Sequence, residues 1–327
     1  MHRKSIINQL ELAYSVLTNF EFSIVKNDPI IEKTLERASL YVIAQRAILS
    51  FENIIQHESG SIIEFEIHQR NNPYILKCKL PILQKAFNTK GDFSIGMAVN
   101  YIDKKKNKFD NPNCGVYGLS FVEYRETEER FLIWFSPEKL LQNYWRGEIE
   151  CEIEGNIRNF LNYKVHYVGK ATKQSILKRL TGHSTLQDII SLEHPFTYND
   201  LPTFEIAILC FEFHNNWVIQ SFGDKSTDED MVAAINGRNR PEIEKIFLDA
   251  EKALIKAMQP GYNKEMFNNY PISIDGLYND NFDEIKYTFM DPITLIYEHG
   301  QIVGRDSFRN GDEIIVLSNE KMKIIKA

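Results

Sequence analysis

The sequence predicts an α+β protein made of three units, and three patterns lead to that prediction. In the first hundred or so residues, helical spacing of apolar residues is followed by a hairpin pattern. The middle of the chain has patterns of both strands and helices, and the end of the chain has patterns of short strands. At 327 residues the chain is long for a single core, which also favours two or three units. We place these units at residues 1–110, 111–267 and 268–327.

The first unit is predicted to be helical and then to form a hairpin, with a role in targeting or oligomerisation. Residues 1 to about 57 carry the helical pattern, and Asp28 before Pro29 is typical of a helix start. Apolar residues then recur at roughly helical spacing at Ile31, Leu35, Ala38, Val42, Ile48, Phe51 and Ile55. From 63 to 67 apolar and polar residues alternate, and a turn at 70–73 leads into a second apolar run, which indicates a β-hairpin.

The middle unit is predicted to alternate strands and helices. It begins after the polar, turn-rich segment 103–113, our predicted boundary. The predicted strands cover residues 115–123, 130–136, 163–168 and 203–213. A short helix is predicted at about 173–183, and a second helix begins near Pro241, with acidic residues in its first turn and Pro260-Gly261 beyond its end.

The last unit is predicted to be a small antiparallel sheet or barrel. Its short apolar runs are separated by His299-Gly300 and Asn310-Gly311, dipeptides typical of tight turns. The runs cover residues 293–297, 301–303, 314–317 and 322–325.

Composition places the chain among ordinary globular proteins, with 43% hydrophobic and 25% charged residues. The longest apolar run near Phe204, at 206–211, is too short to span a bilayer, so we expect no membrane partner. The first residues lack the apolar core of a secretory signal. The four cysteines stand far apart without a CxxC pair, which argues against a disulfide framework and a zinc site. We therefore expect a cytoplasmic location.

Charge is unevenly distributed along the chain. The net charge of -7 argues against a protein that coats nucleic acid non-specifically, because such binding depends on neutralising phosphates. Residues 156–187 nevertheless contain no Asp or Glu. The basic residues in this stretch are Arg158, Lys164, Lys170, Lys173, Lys178 and Arg179. A local basic surface suits a polyanion bound at one cleft, and all of these except Arg158 are our candidate nucleic-acid contacts. A solvated helix face is the alternative explanation.

The second helix of the middle unit has a carboxylate at the edge of its apolar face. That face is marked by Ile243, Ile246, Phe247, Ala250, Leu254 and Met258. Glu251 lies at its margin, where a carboxylate is costly unless it is paired or binds a cation. The alternative is an exposed glutamate beside Lys252 and Lys256.

The first helix of the middle unit carries a possible phosphate contact. Arg179 and His183 are four residues apart and lie on one helix face. The guanidinium can bind a phosphate through two parallel hydrogen bonds, and the imidazole can donate or carry a proton. The alternatives are a surface cation for Arg179 and a helix C-terminal cap for His183.

Together these residues follow the order of one nuclease superfamily. The strand-like segment 165–170 contains Tyr167-Val168-Gly169, Arg179 follows on the next helix, and Glu251 precedes Pro260 and Asn263. From about residue 115 to 265 the pattern resembles the GIY-YIG nucleases, and an arginine followed four residues later by a histidine resembles their restriction-enzyme branch. The resemblance implies a small mixed or antiparallel sheet flanked by helices.

The first signature tripeptide of that superfamily has one candidate in this chain. Gly115-Val116-Tyr117 resembles it, which makes Tyr117 our choice for the first signature tyrosine. Some fifty residues separate Tyr117 from Tyr167, many more than in compact family members. Either an insertion of roughly 124–160 lies between the two strands, or another tyrosine such as Tyr163 serves.

The resemblance implies hydrolysis of a phosphodiester bond by water. The catalytic residues it implies are Tyr117, Tyr167, Lys170, Arg179, His183, Glu251 and Asn263. Glu251 would hold one Mg²⁺ or Mn²⁺, and one tyrosine would act as general base while the other positions the phosphate. Arg179, assisted by Lys170, would neutralise charge that develops on the phosphoryl oxygens. Asn263 would orient Glu251 or the phosphate.

We therefore expect a metal-dependent endonuclease that acts on double-stranded DNA, with restriction or phage defence as the context suggested by analogy. Two alternatives remain open: a nucleic-acid-binding module of the same fold without turnover, and a nuclease that acts on RNA. Helices of the first unit could mediate formation of a homodimer, which a double-strand cutter with one site per chain would need.

Overall fold

A computed structural model describes residues 3–58, 60–89, 93–101, 114–126, 128–193, 204–223, 226–306, 309–317 and 321–327. The chain forms two compact units, and both are discontinuous in sequence. Unit 1 consists of residues 1–45, 162–193 and 206–327, and unit 2 consists of 46–161 and 194–205. Most of unit 2 therefore comes between the first and second segments of unit 1 along the chain.

The described residues form a mixed α+β protein with two sheets and seven α-helices. The strands are β1 (Arg3–Leu12), β2 (Leu17–Thr18), β3 (Leu40–Ala47), β4 (Leu49–Gln56), β5 (Ile62–Gln69), β6 (Ile75–Pro81), β7 (Ser94–Tyr101), β8 (Val116–Tyr124), β9 (Glu129–Phe135), β10 (Glu152–Glu154), β11 (Asn162–Lys170), β12 (Phe204–Ser221), β13 (Glu284–Phe289), β14 (Thr294–Tyr297), β15 (Gly300–Val303), β16 (Glu313–Leu317) and β17 (Met322–Ile325). The helices are α1 (Asn19–Val25), α2 (Pro29–Thr34), α3 (Pro137–Trp145), α4 (Ile176–Thr181), α5 (Ser184–Glu193), α6 (Asp228–Ile235) and α7 (Ile243–Met258).

Unit 1 is built on the larger sheet, in which the described strands follow the order β15-β14-β11-β3-β12-β1-β13-β16-β17, with β2 paired to β12. Strand β11 runs antiparallel to β3 and parallel to β14. Helix α7 packs against β11. Helices α4 and α5 bury Ile176, Leu177 and Ile189 in the same apolar cluster as Tyr41 and Ile43 of β3. The strand pair β3–β11 thus packs against helices α4, α5 and α7 of unit 1.

Unit 2 is built on the smaller sheet, in which the described strands follow the order β10-β6-β5-β4-β8-β7, with β9 paired to β8. The hairpin predicted after residue 60 is confirmed as β5 and β6, which pair antiparallel. The predicted strands at 115–123 and 130–136 are confirmed as β8 and β9. These strands belong to unit 2 with the hairpin and do not join the sheet of β11.

The long helical segment predicted for residues 1 to about 57 is wrong. Most of it is strand, including β1, β3 and β4. Residues 40–46 are buried without interruption, because β3 is an interior strand of its sheet. Such a strand has apolar residues on both faces, and a continuous apolar run contains positions that also match helical spacing. The start signal is correct, because the Asp28 carboxylate accepts hydrogen bonds from the amides of Ile30 and Ile31 at the beginning of α2.

The predicted units differ from those in the structure. The predicted division at 110/111 lies within the sequence of unit 2, and that at 267/268 lies within the sequence of unit 1. Segment 103–113, the predicted boundary, lies outside the described residues. The C-terminal strands were correctly predicted as strands, but they extend the sheet of unit 1: β14 pairs with β11, and β13 pairs with β1. Backbone pairing with distant strands, which sequence patterns do not report, joins these segments into one unit.

Both helices predicted for the middle unit are present. The helix predicted at 173–183 is shorter in the structure and corresponds to α4, and the helix predicted near Pro241 is α7. The predicted strand at 203–213 continues to Ser221 as β12. Among the described residues, no helix has both the length and the apolar character needed to cross a bilayer.

Candidate active site

Two tyrosines face each other across the strands β3 and β11. In this antiparallel pair Tyr41 lies opposite Gly169, and Tyr167 lies opposite Ile43. Cross-strand partners and alternate residues of a strand share one face of a sheet, so both tyrosines project from the same face. Their ring centroids are 6.0 Å apart. Tyr41 is fully buried, whereas Tyr167 is half-buried.

Gly169 leaves the space that these two rings occupy. A Cβ atom at this position would lie 2.5 Å from Tyr167 Cε1 and 2.7 Å from both Cζ and Oη of Tyr41. These atoms belong to packed rings, which cannot move aside as the end of a flexible chain can. The Tyr167-Val168-Gly169 tripeptide therefore has a steric explanation here: the glycine permits the approach of the two rings.

Substitution of Gly169 by alanine is expected to displace the two tyrosines and destabilise the protein by about 1–3 kcal/mol, the usual cost of overpacking a core. Any activity that depends on the rings should fall at least tenfold. Thermal unfolding measures the first effect, and an assay for the nuclease activity that the resemblance implies measures the second. Gly182→Ala is the matched control, because no atom lies within 4 Å of the Cβ it would add. Equal effects of the two substitutions would contradict the steric role of Gly169.

Asn263 holds β11 at the centre of the site. Its side-chain Oδ1 accepts a hydrogen bond from the Val168 amide at 2.9 Å, and its Nδ2 donates to the Val168 carbonyl at 2.8 Å. The adjacent Tyr262 amide donates to the carbonyl of His166, where β11 bulges. The Asn263 side chain thus pairs with the backbone between Tyr167 and Gly169, and its expected role toward Glu251 or a phosphate stays a prediction.

His183 and Tyr41 contribute buried polar atoms to the site. The Nδ1 atom of His183 accepts a hydrogen bond from the Leu186 amide in the first turn of α5. A neutral imidazole with an accepting Nδ1 carries its proton on Nε2. That Nε2 and the Oη of Tyr41 are buried and have no hydrogen-bond partner of normal geometry among the described residues. The His183 ring makes edge contacts with the rings of Tyr41 and Tyr167, at centroid distances of 5.8 and 5.0 Å.

Arg179 lies beside both tyrosine hydroxyls. Buried Ile176, Leu177 and Leu180 fix helix α4 to the core and leave Arg179 on its exposed side. Its guanidinium is near enough to the hydroxyls of Tyr41 and Tyr167 to lower the pKa of each. The predicted face shared by Arg179 and His183 is only partly present, because α4 ends at Thr181 and His183 begins the next helix.

Burial is the main influence on the ionisation of this cluster. It raises the pKa of Tyr41 well above the usual range, and the neighbouring Tyr167 raises it further. Burial also raises the pKa of Tyr167, with a smaller contribution from the charge of Glu251. Burial lowers the pKa of His183, as does the charge of Arg179. Near neutral pH, both phenols are therefore protonated and the imidazole is uncharged.

Glu251 is a buried carboxylate held by an ion pair. Only 9% of the residue is exposed. Glu251 therefore lies in a position where an unpaired carboxylate is costly, as the apolar pattern predicted, and it is not an exposed glutamate. Its Oε2 lies 3.1 Å from the Nζ of Lys170, the last residue of β11. Burial raises the pKa of Glu251, and the Lys170 ammonium is the largest opposing influence.

The described residues contain no group of three or more His, Cys, Asp or Glu side chains that could hold a metal ion. Mg²⁺ needs fewer protein ligands than that, because it keeps several waters and is often bound by one or two carboxylates together with substrate phosphates. The hard oxygen ligand of Glu251 fits such a cation when a phosphate supplies further oxygens. Glu251 is therefore the residue that would hold Mg²⁺ or Mn²⁺.

The structure brings most of the predicted site residues into unit 1. Those residues are Tyr167, Lys170, Arg179, His183, Glu251 and Asn263. Lys173 and Lys178 are exposed around α4, and Lys164 is exposed on β11. The structure places Tyr117 on β8 in unit 2, where its ring packs against Trp134, whereas Tyr41 of β3 lies beside Tyr167, which makes Tyr41 a second candidate for the first signature tyrosine.

The sequence pattern does not single out Tyr41, because the apolar run of its strand also matches helical spacing. Ser39-Leu40-Tyr41 has a tyrosine at the third position of the tripeptide, as in the first signature, but lacks its glycine. The run of aromatic and β-branched residues in Leu40–Ala47 was the available signal for a strand. The other alternative, Tyr163, is also on β11 but is fully buried.

Comparisons of this chain with models of known protein families, with curated proteins and with solved structures found no match. Its function is therefore inferred from the side chains of this cluster and from their geometry. The cluster combines hydroxyl, imidazole and guanidinium donors with one carboxylate, a set of groups that suits phosphoryl chemistry.

Proposed function

We propose that this chain is a metal-dependent endonuclease of GIY-YIG type that hydrolyses phosphodiester bonds in double-stranded DNA. The observation that carries the proposal is the position of Tyr41 beside Tyr167, Gly169 and Arg179 on the face where β3 pairs with β11. The pair supplies two tyrosines on adjacent antiparallel strands, as the two signature tripeptides of that superfamily require. Glu251 supplies the carboxylate on the helix that packs against β11.

Phosphate binding follows from the exposure and the hydrogen-bonding capacity of these groups. Arg179 is exposed, so a phosphodiester can reach its guanidinium first and form two parallel hydrogen bonds. The Nε2 of His183 and the Oη of Tyr41 are buried donors without a hydrogen-bond partner of normal geometry among the described residues, and the Oη of Tyr41 also lies beside Arg179 and Tyr167. Unpaired buried donors cost free energy, which is recovered when a phosphate oxygen or a water accepts from them. Together these donors can neutralise and orient one phosphate group.

The chemical step requires a water, a proton acceptor and stabilisation of negative charge. Mg²⁺ or Mn²⁺ on Glu251 would act as a Lewis acid at the scissile phosphate when bound. The phenolate form of one tyrosine takes the proton of the attacking water and becomes the neutral phenol, while the hydroxyl of the other tyrosine positions the phosphate. Arg179 neutralises charge on the phosphoryl oxygens in the transition state. Lys164, Lys173 and Lys178, which are exposed, contact the DNA backbone on either side.

The cleavage rate is expected to rise with pH between about pH 7 and about pH 9, by up to tenfold per unit. Burial and neighbouring groups raise the pKa of Tyr41 and of Tyr167, so the fraction of phenolate increases with pH throughout this range. His183, the other titratable ring in the cluster, has a lowered pKa and stays neutral there. Single-turnover rates measured across this range at saturating Mg²⁺ provide the test. A plateau below about pH 8 would exclude a tyrosine as the base.

A direct test compares three substrates: supercoiled plasmid, linear duplex DNA and RNA, each with Mg²⁺ or with EDTA. The proposal expects cleavage of both DNA forms with Mg²⁺ and none with EDTA. Preferred cleavage of RNA would show that the protein is a nuclease that acts on RNA. Tight binding without cleavage of any substrate would favour a non-catalytic binding module. The setting we propose for such a nuclease is restriction or phage defence, by analogy with the restriction-enzyme branch.

The site contains one set of catalytic groups per chain, so cutting both strands requires two copies or two successive events. We propose that two copies act together as a homodimer on duplex DNA. Light scattering under cleavage conditions measures this directly. A mass of one chain, combined with double-strand breaks formed without a nicked intermediate, would contradict the dimer.

A further inference from the structure

We propose that Lys170 is a resident counter-ion of Glu251 that competes with the divalent cation and is released from the carboxylate when the cation binds. This inference rests on the proposed function, because it concerns the same carboxylate. Lys170 thereby makes metal binding weak in the free protein and favourable once a phosphate is present. Metal would then occupy the site mainly when the nucleic-acid substrate is bound.

The geometry places Lys170 where a cation would bind. Its Nζ lies 3.1 Å from Oε2 of Glu251. Both side chains are largely buried, with 29% of Lys170 and 12% of Glu251 exposed. Lys252, the next residue along α7, is engaged elsewhere, since its ammonium lies 2.5 Å from Oδ1 of Asp275. Lys170 is thus the lysine in direct contact with the Glu251 carboxylate.

Burial explains why Glu251 needs such a partner. An unpaired ionised carboxylate in a buried position carries a large desolvation cost, which an ion pair offsets. The Lys170 ammonium, 3.1 Å from Oε2 of Glu251, is the partner that offsets this cost in the metal-free protein.

The same contact makes cation binding costly. A metal ion that coordinates Oε2 of Glu251 must displace the Lys170 ammonium or share the oxygen with it, and like charges at such a distance repel. Lys170 follows Gly169 directly, so it lies at the end of the strand that carries Tyr167. A phosphate bound at the tyrosines offers the released ammonium another anionic partner. Substrate and cation therefore assist each other's binding, as reciprocal coupling requires.

The experiment measures Mn²⁺ binding to the full chain without nucleic acid, by electron paramagnetic resonance or calorimetry. We expect Lys170→Gln to bind Mn²⁺ about tenfold more tightly than the wild type, because the competing charge has been removed. Lys170→Arg keeps the charge and should remain within about threefold of the wild type. Lys256→Gln is a second control, because it removes the same charge from a lysine of α7 whose ammonium donates to the Asn268 carbonyl. This variant should also change the Mn²⁺ affinity little. Glu251→Gln should abolish the binding.

Thermal melting in EDTA provides a second readout that does not depend on metal. Lys170→Gln should melt below the wild type, because it leaves the Glu251 carboxylate buried without its partner, and Mn²⁺ should restore the loss. Unchanged or weaker Mn²⁺ affinity in Lys170→Gln, with Glu251-dependent binding in the wild type, would overturn this inference alone. Absence of any Glu251-dependent binding in all variants, also when duplex DNA is present, would remove the proposed metal site as well.

Discussion

Replacement of Tyr41 by phenylalanine is expected to lower the rate of DNA cleavage about 100-fold or more, the range typical for loss of a general acid–base group. The substitution removes only the hydroxyl oxygen, which has no partner of normal geometry among the described residues. Its ring, fully buried beside Tyr167, Gly169 and His183, stays in place. The folded protein should therefore be as stable as the wild type or slightly more stable. Single-turnover cleavage and thermal melting separate the two effects.

Tyr117→Phe is the control for this experiment, and it decides between the two candidates for the first signature tyrosine. Tyr117 lies on β8 in the sheet of unit 2, where its ring packs against Trp134, and β8 does not belong to the sheet in which β3 pairs with β11. We expect this variant to cleave within about threefold of the wild type. A large loss in Tyr117→Phe combined with normal cleavage by Tyr41→Phe would overturn the assignment of Tyr41.

Glu251→Gln is expected to lower cleavage by about 1000-fold, because several kcal/mol of charge stabilisation by a bound cation would be lost. The amide preserves the shape of the side chain but removes the negative charge that attracts a divalent ion. High Mg²⁺ should fail to restore the rate, since the ligand itself is gone. Cleavage measured over a range of Mg²⁺ concentrations gives both the maximal rate and the metal requirement.

The matched control is Glu244→Gln, the same change on the same helix. Glu244 is exposed in the first turn of α7, away from Lys170. This variant should cleave as the wild type does, and its stability should change by no more than about 0.5 kcal/mol. If Glu251→Gln cut DNA at the wild-type rate in Mg²⁺, Glu251 would not be the metal ligand and another carboxylate would have to be sought.

Local signals in the sequence were sufficient for several elements. Alternation predicted the hairpin of β5 and β6, and the apolar stripe with its terminal Pro260-Gly261 predicted α7. The acid–proline pair predicted the start of α2. Each of these patterns lies within a segment of about twenty residues. The spacing of buried residues and the capping residues of that segment therefore predict the element without information from the rest of the chain.

Patterns that depend on distant pairing were misinterpreted. Strand β3 is buried on both faces as an interior strand of unit 1, and its apolar run was assigned to a helix. The C-terminal strands were expected to form their own sheet, but they pair with β1 and β11. Whether a strand is interior or at an edge depends on its neighbours in space, and its own sequence does not identify them.

The sequence by itself determined most of the candidate site. Arg179, His183 and Glu251 follow from residue type and helical spacing, whereas Tyr167 and Lys170 follow from the resemblance to the GIY-YIG nucleases, and the structure places all five in unit 1. Only the tertiary structure brought Tyr41 to Tyr167, because residues 48–161, which belong to unit 2, separate the two paired strands along the chain. It also decided the partners of two predicted residues, since Asn263 binds the backbone of Val168 and Lys170 pairs with Glu251. Strand pairing and burial arise from contacts between segments far apart in sequence, whereas helical spacing and capping arise within one segment.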